Sequence, residues 1–326
     1  MSPLSAQHKL PWSSDTTPLM LAPMQGLTNR GLRHLFDQWV KPDTLFTEFM
    51  RVAPGETNKR LAASDLREIV ATEEGIPLVV QLIGHGTEAL VAAARAAQAA
   101  GAAHINLNLG CPFGRMTTGL TGGGILQQPE LLQELIPALR SVIQGSFSVK
   151  LRAGYDNPQQ IFSLLPLFEA SMVDFLVLHP RTVVQEYEGM ADHDITTRVV
   201  QETGLPVIAN GDVRTVEGGL RLLEQTKAAG LMLGRGAIAD PLLFQRIRNR
   251  TTGQPDRTER AAMLRHYLTG LLERYQGIFC GEQQILGKVK TVFATMDDPD
   301  FTKQLKSLKK ARTIQQFSDL LDTLCN

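Results

Sequence analysis

The sequence predicts an α/β protein: a (β/α)8 TIM barrel followed by a small C-terminal all-helical domain. Three observations carry that expectation. Up to about residue 250, eight short apolar runs rich in β-branched residues alternate with helical stretches. The runs do not alternate strictly between apolar and polar residues, as expected of parallel strands covered on both faces. From residue 251 onward only helical periodicity remains. A doubly wound open sheet is the structural rival, weakened because no Gly-x-Gly-x-x-Gly follows the first run. The expected organisation is a barrel over residues 1–250 and a helical domain over 251–326.

The elements are legible in order. Leu19–Met24, Thr44–Phe49, Leu78–Ile83 and His104–Leu109 are the first four strands, each closed by Gly, Pro or polar residues. Between the third and fourth, Thr87–Ala100 is almost pure helix former and stops at Gly101, a favourable C-cap. After the fourth, a Gly/Thr-rich stretch from Phe113 to Gln128 is long for a strand-to-helix loop, and long loops on a catalytic face are usually functional. Pro129–Ile143 follows as a helix, with Leu131, Leu132, Leu135, Leu139 and Ile143 at helical spacing. Phe147–Arg152, Asp174–His179, Pro206–Asn210 and Gly230–Gly234 complete the strands, and a helix over Thr215–Ala229 precedes the last of them. TTGQPD, residues 251–256, reads as a linker. The tail then carries helices over Arg257–Tyr275, Gln283–Thr295, Phe301–Ala311 and Thr313–Leu324.

Composition narrows the function classes. The 326 residues are 43% hydrophobic and 20% charged, which excludes disorder as the main state. Three cysteines, Cys111, Cys280 and Cys325, make neither a disulfide scaffold nor a metal cluster. No apolar run approaches the roughly 20 residues needed to span a membrane. The N-terminal stretch lacks a continuous apolar segment of signal-peptide type. A reducing, cytoplasmic setting with no metal is therefore expected. Basic and acidic residues balance at 33 each, so total charge gives no sign of a polyanionic partner. A basic stripe can hide in a neutral total, and the tail holds 11 basic against 9 acidic residues, with Lys303, Lys306, Lys309, Lys310 and Arg312 clustered.

In a barrel of this kind, catalytic groups stand at the C-terminal ends of the strands. That rule selects Pro23, Met24, Glu48, Gln81, Asn106, Asn108, Lys150, Arg152, His179, Asn210, Gly234 and Arg235 before any family is considered. The seventh and eighth strands end in Ala209-Asn210-Gly211-Asp212 and Leu233-Gly234-Arg235-Gly236, the usual place for a phosphate in this fold. Lys150 and Arg152 share one strand face. Lys150 there either forms a Schiff base or holds an anionic ring or phosphate. Cys111 follows the fourth strand directly, and a thiol of ordinary acidity is mostly protonated at neutral pH, so it can donate a proton as well as attack. His179 at the end of the sixth strand reads as a ligand contact rather than a core histidine.

Taken together, Leu21-Ala22-Pro23-Met24, Thr47-Glu48-Phe49, Gln81-Leu82-Ile83-Gly84, Asn106-Leu107-Asn108-Leu109-Gly110-Cys111-Pro112, Val149-Lys150-Leu151-Arg152, His179-Pro180-Arg181-Thr182, Ala209-Asn210-Gly211-Asp212 and Gly234-Arg235-Gly236 stand in the order found in tRNA-dihydrouridine synthases. The chain resembles that family along essentially its whole length. The Gly122-Gly123-Gly124 loop, the Thr47 to Val52 run and the length resemble the bacterial C-type branch, which modifies uridine 16 of the tRNA D-loop. The resemblance implies an FMN-dependent, NADPH-using reductase that saturates the C5–C6 bond of a uridine in tRNA. It implies Cys111 as the proton donor to C5 and Lys150 as the charge beside the flavin N1–O2 edge. Gln81 would bond the isoalloxazine, with Ala22, Pro23 and Met24 beside it. Asn210, Gly211, Asp212, Gly234 and Arg235 would hold the phosphate, with His179 close by. Asn108, Arg152 and Arg181 would meet the substrate base, which has to leave its stack to reach a barrel mouth. Many members carry a basic residue shortly after Cys-Pro, and Arg115 is expected in its place. Arg115, Lys303, Lys306, Lys309 and Lys310 would contact tRNA. A monomer with no protein partner is expected. The rival readings are another FMN barrel acting on a free pyrimidine, an aldolase-type lyase built on Lys150, and a tRNA-binding module without catalysis.

Overall fold

Parallel pairing runs around the whole sheet. The computed structural model of the chain describes residues 9–13, 15–53, 60–70, 72–113 and 119–325. Among these, the strands in chain order are β1 (Leu19–Leu21), β2 (Leu45–Phe46), β3 (Met50–Arg51), β4 (Leu78–Ile83), β5 (His104–Leu109), β6 (Ser146–Arg152), β7 (Phe175–His179), β8 (Val207–Asn210) and β9 (Gly230–Leu233). Their order in the sheet is β1-β9-β8-β7-β6-β5-β4-β2, with β3 also on β4. The ring shuts where β1 meets the residues entering β2: Leu21 N donates to Thr44 O at 3.1 Å and Asp43 N to Leu19 O at 2.9 Å. The expected barrel is therefore present, and every ladder in it is parallel.

One strand departs from expectation. The run Thr44–Phe49 forms two short pieces, because Phe46 pairs with Val79 whereas Met50 pairs with Leu82. Thr47, Glu48 and Phe49 thus stand opposite Val80 and Gln81 alone, a one-residue bulge. Thr47 repairs the ladder with its side chain, its Oγ1 accepting from Gln81 N at 3.0 Å.

The helices are α1 (Arg30–Leu35), α2 (Ala63–Leu66), α3 (Thr87–Ala99), α4 (Leu132–Val142), α5 (Gln160–Ala170), α6 (His193–Glu202), α7 (Val216–Thr226), α8 (Arg235–Ala239) and α9 (Leu243–Asn249) around the barrel. In the tail they are α10 (Arg257–Gln276), α11 (Glu282–Lys290), α12 (Thr302–Lys310) and α13 (Ile314–Asp322). Local chemistry sets their ends. Asn29 caps α1 by accepting from Gly31 and Leu32 N–H, and Asp256 with Glu259 forms a capping box on α10. α7 stops at Thr226 rather than Ala229, because Lys227 turns left-handed at φ 55°. Residues 129–131 and 291–294, expected as parts of α4 and α11, are tighter 3₁₀ turns at their edges.

Inside the barrel, inward side chains change character with height. Phe46, Val79, Phe175, Val177, Ile208 and Met232 fill an apolar lower layer with Met20 and Ala22. One or two strand positions higher come Gln81, Asn106, Asn108, Lys150, His179 and Asn210, which makes the upper layer polar. The tail packs against the barrel flank through α1 and α10. Leu32, Leu35 and Phe36 share one continuous core with Leu264, Leu271 and Tyr275. Gly31 permits the approach, since a Cβ there would lie 2.7 Å from the Tyr275 ring. Element type changes near residue 250, but the core does not divide there.

Because barrel flank and tail share one core, they are expected to unfold together. Urea titration followed by tryptophan fluorescence and by far-UV circular dichroism is expected to give coincident single transitions. Leu271→Ala, at a fully buried position of that core, is expected to lower stability by about 2–5 kcal/mol without separating the two curves.

Candidate active site at the barrel mouth

The polar upper layer opens into a cavity of about 530 Å3. The segment after β1 contributes Ala22, Pro23 and Met24 to its wall, β5 contributes Asn108 and the turn after it Cys111, and β6 contributes Lys150 and Arg152. His179, Asn210, Gly211, Asp212, Gly234 and Arg235 come from the ends of β7, β8 and β9, and Ala294 with Thr295 from the tail. Most of the residues that the strand-end rule selected, far apart in the chain, thus meet in one place, whereas Glu48, Gln81 and Asn106 do not line it.

Lys150 lies at the heart of the cavity. Its Nζ donates to Asn210 Oδ1 at 2.9 Å, and Asn210 Nδ2 donates to Met232 O at 2.9 Å, which turns the amide oxygen toward the lysine. No carboxylate pairs with Lys150 among the described residues. Burial, with the Arg152 cation beside it, lowers its pKa to about 8. Arg152 is buried, where Lys150 is half-buried, and it too lacks a carboxylate among the described residues. Its Nε donates to Gly110 O at 3.0 Å, and its Nη1 donates to Thr182 O and Glu186 O at 2.7 and 2.5 Å. The guanidinium therefore braces the loops after β5 and β7 while keeping its charge beside the cavity.

Cys111 is a free thiol at the rim. A directed relay of amides positions it. Asn108 Oδ1 accepts from both Gly110 N and Cys111 N at 3.0 Å. Its Nδ2 must then donate, and it reaches Gln81 Oε1 at 2.8 Å. Gln81 Nε2 donates to Asn106 Oδ1 at 2.7 Å, and Asn106 Nδ2 to Ser148 Oγ at 2.8 Å. Gln81 is thus one layer below the cavity wall, acting on Asn108, and it does not line the cavity. The glycine turn also serves Cys111. Gly123 N donates to Cys111 O at 3.1 Å, and a Cβ on Gly122 would stand 3.0 Å from the cysteine Cβ. Glu48, on the bulge, accepts from Gly26 N at 2.9 Å and so holds the turn after Met24, and burial raises its pKa.

Arg181, expected at the substrate, is 2% exposed and does not line the cavity. It donates to Asp212 Oδ2 at 2.7 Å. Asp212 also accepts from Ala191 N, and its Oδ1 stands 3.7 Å from Arg235 Nη2, so its carboxylate is shared between Arg181 and the loop after β9. Among the lining residues that the sequence reading missed, with Arg51 and Arg214, is Tyr187. It is 46% exposed on the rim, with the Arg152 and Arg235 guanidinium centres 5.3 and 4.7 Å from its ring centroid. The only signal for it was a lone aromatic in the long loop after β7. Lys303, Lys306, Lys309 and Lys310 lie on α12, all exposed and none at the cavity. Arg115 lies outside the described residues.

A family model described as dihydrouridine synthase matches residues 20–322. The chain is 33% identical to a tRNA-dihydrouridine(16) synthase of Cupriavidus necator over 278 residues, which cover 83% of this chain and 85% of the relative. It is 32% identical to a tRNA-dihydrouridine synthase B of Vibrio parahaemolyticus over 272 residues, 81% of this chain and 82% of the relative. Among solved structures, histamine dehydrogenase from Rhizobium sp. 4-9 superposes with a TM-score of 0.54 at 13% identity, over 78% of this chain and 49% of that one. A variant of NCR from Zymomonas mobilis superposes with a TM-score of 0.52 at 16% identity, over 74% of this chain and 89% of that one. At such identities the superpositions speak for the fold alone.

Lys150 gives the site a pH signature. Its pKa in the folded chain, about 8, lies below its ordinary value of 10.5. Without an anion beside it Lys150 is therefore neutral above pH 8, and an anion bound there has to restore the proton. Anion affinity, with FMN as the probe, is expected to fall as pH rises from 8 toward 10.5. The stability of the ligand-free chain is expected to rise over the same window, because the unfolded state binds the extra proton there. Flavin-fluorescence titrations at several pH values check the first, and Lys150→Met is expected to remove that slope.

Proposed function

The chain belongs to the dihydrouridine synthase family, and from that premise we propose how its own residues reduce a uridine of tRNA to 5,6-dihydrouridine. The observation that carries the reading is the pairing of a positioned thiol, Cys111, with a cavity whose central cation has no counter-charge. A lysine of pKa near 8 would also suit a Schiff base, but family membership sets the lyase reading aside.

FMN fits the cavity on the character of its walls. The uncompensated Lys150 ammonium calls for an anionic ring edge, and Gly211, Gly234 and the partly exposed Arg235 offer backbone and guanidinium donors to a phosphate. Ala22, Pro23 and Met24 would pack beside the ring, with Asn210 steering Lys150 and His179 close by. Bound there, FMN supplies the hydride, with NADPH as the reductant that recharges it.

The protein supplies the proton and the geometry. Reduction at uracil C6 moves electron density to C5, and the Cys111 Sγ–H gives C5 its proton. The thiolate left behind lies under the charges of both Lys150 and Arg152, each of which senses Cys111. Asn108 retains one N–H beyond the one donated to Gln81, and it meets a uracil carbonyl at the cavity wall. Tyr187 offers a ring face on which an unstacked base can lie. The target is position 16 of the D-loop: the relative from Cupriavidus necator carries that number in its name, and the glycine turn under Cys111 is the feature shared with the C-type branch. Arg115 and the α12 lysines contact the tRNA backbone. Among the described residues, none of those lysines is ion-paired.

With Cys111→Ala, dihydrouridine formation in tRNA is expected to fall by roughly 10²–10⁴, while reduction of bound flavin by NADPH persists. Wild-type turnover would remove the thiol from the mechanism. Mapping dihydrouridine in tRNA from a deletion strain tests position 16. A Lys306→Glu, Lys310→Glu double variant is expected to bind tRNA more weakly and with a shallower salt dependence. NADPH oxidation with an artificial acceptor should stay as in the parent; an unchanged salt slope would place the RNA surface elsewhere.

A further inference from the structure

His179 ends β7 and lines the cavity, yet its chemistry is decided from behind. Its Nε2 lies 2.9 Å from Nη1 of Arg181. A guanidinium has five N–H donors and no acceptor, and it keeps its proton throughout the range in which proteins fold. Nε2 must therefore accept, and the ring proton must sit on Nδ1. A second proton is excluded as well. Burial, together with the cations Lys150, Arg152 and Arg181 and the neighbouring His193, pushes the imidazole down to about 2. Tyr187 stands 6.3 Å away, ring to ring.

Arg181 is itself fixed. Nε donates to Glu188 O at 3.2 Å, and Nη2 donates to Gly189 O at 2.6 Å and to Asp212 Oδ2 at 2.7 Å. Three segments, the end of β7, the loop after it and the loop after β8, thus converge on one buried guanidinium. The Nδ1 of His179 has no hydrogen-bond partner among the described residues. We infer that Arg181 is a positioning residue that locks His179 as the neutral Nδ1–H tautomer, so that the cavity meets its ligand with a hydrogen-bond donor at this point. Resting on the flavin reading above, the acceptor is an oxygen or ring nitrogen of FMN. A ring protonated on Nε2 would offer FMN a lone pair there instead.

The test is nitrogen-detected NMR of His179 in the full chain, with and without added FMN, over pH 5 to 9. The expected pattern is a protonated Nδ1 and an unprotonated Nε2 at every pH. A wild-type ring protonated on Nε2 or doubly protonated in this range overturns the inference. Arg181→Met keeps an apolar stem and loses the donor, and it is expected to let the tautomers mix and weaken FMN binding about tenfold. Arg181→Lys, which still donates to Nε2, is expected to recover the Nδ1–H form and most of the affinity. Should Arg181→Met fail to fold, His179→Asn and His179→Gln decide: the asparagine amide reaches the Nδ1 position and is expected to keep FMN affinity better than glutamine. Equal FMN affinity across these variants, with the Nδ1–H tautomer intact in the wild type, overturns the positioning role. Absence of FMN binding by the wild-type chain would instead count against the flavin reading, since the tautomer is read on the protein itself.

Discussion

A positive charge that the protein itself does not neutralise organises the barrel mouth. Lys150 and Arg152 are two positions apart on β6 and therefore point the same way, and neither meets a carboxylate among the described residues. Holding two such cations away from water is unfavourable unless a counter-charge arrives. The chain tolerates the arrangement by giving Arg152 three carbonyls and Lys150 one amide oxygen, dipoles that ease the charge without cancelling it. What remains is an electrostatic demand for an anion at a defined place, and the glycines of the loops after β8 and β9 lie beside it.

The second organising device is direction. Amide side chains present a donor at one end and an acceptor at the other, so a chain of them has a sense, and here the backbone N–H groups of Gly110 and Cys111 set it. Because those two donors fix Asn108, the orientations of Gln81 and Asn106 follow down to Ser148. The Arg181–His179 pair works the same way, with a donor-only group settling the state of an ambiguous one. Both devices sit below the ligand-facing layer, and both convert a flexible polar side chain into a preset partner at the cavity wall.

The helical tail completes the mouth as well as flanking it. Its core is continuous with that of the barrel flank, and the turn after α11 places Thr295 on the cavity wall. A chain with 33 basic and 33 acidic residues can still meet a polyanion in this way. Two groups of its cations stand out, one at the mouth and one in an exposed row on α12, while others elsewhere are matched, as in Arg260 with Asp298 or Arg265 with Asp322.

The strand runs, part of the barrel's helices, the tail helices, closure into a barrel and most of the lining residues at the strand ends could be read from the residues in order. Each follows from short-range pattern: apolar runs, cap residues, and the rule that parallel barrels expose the ends of their strands on one face. β4 and β5 match the expected spans end for end. What each polar group does with its hydrogen bonds could not be read that way. Lys150 and Asn210 are 60 residues apart, and Arg152 reaches across 30 residues to Thr182. Only closure of the ring decides that Gln81 faces Asn106 and Asn108, that Arg181 turns inward to His179, and that Tyr187 arrives at the rim near two guanidinium groups. The bulge after Phe46 belongs to the same class, since register is a relation between two strands and leaves no trace in either one alone.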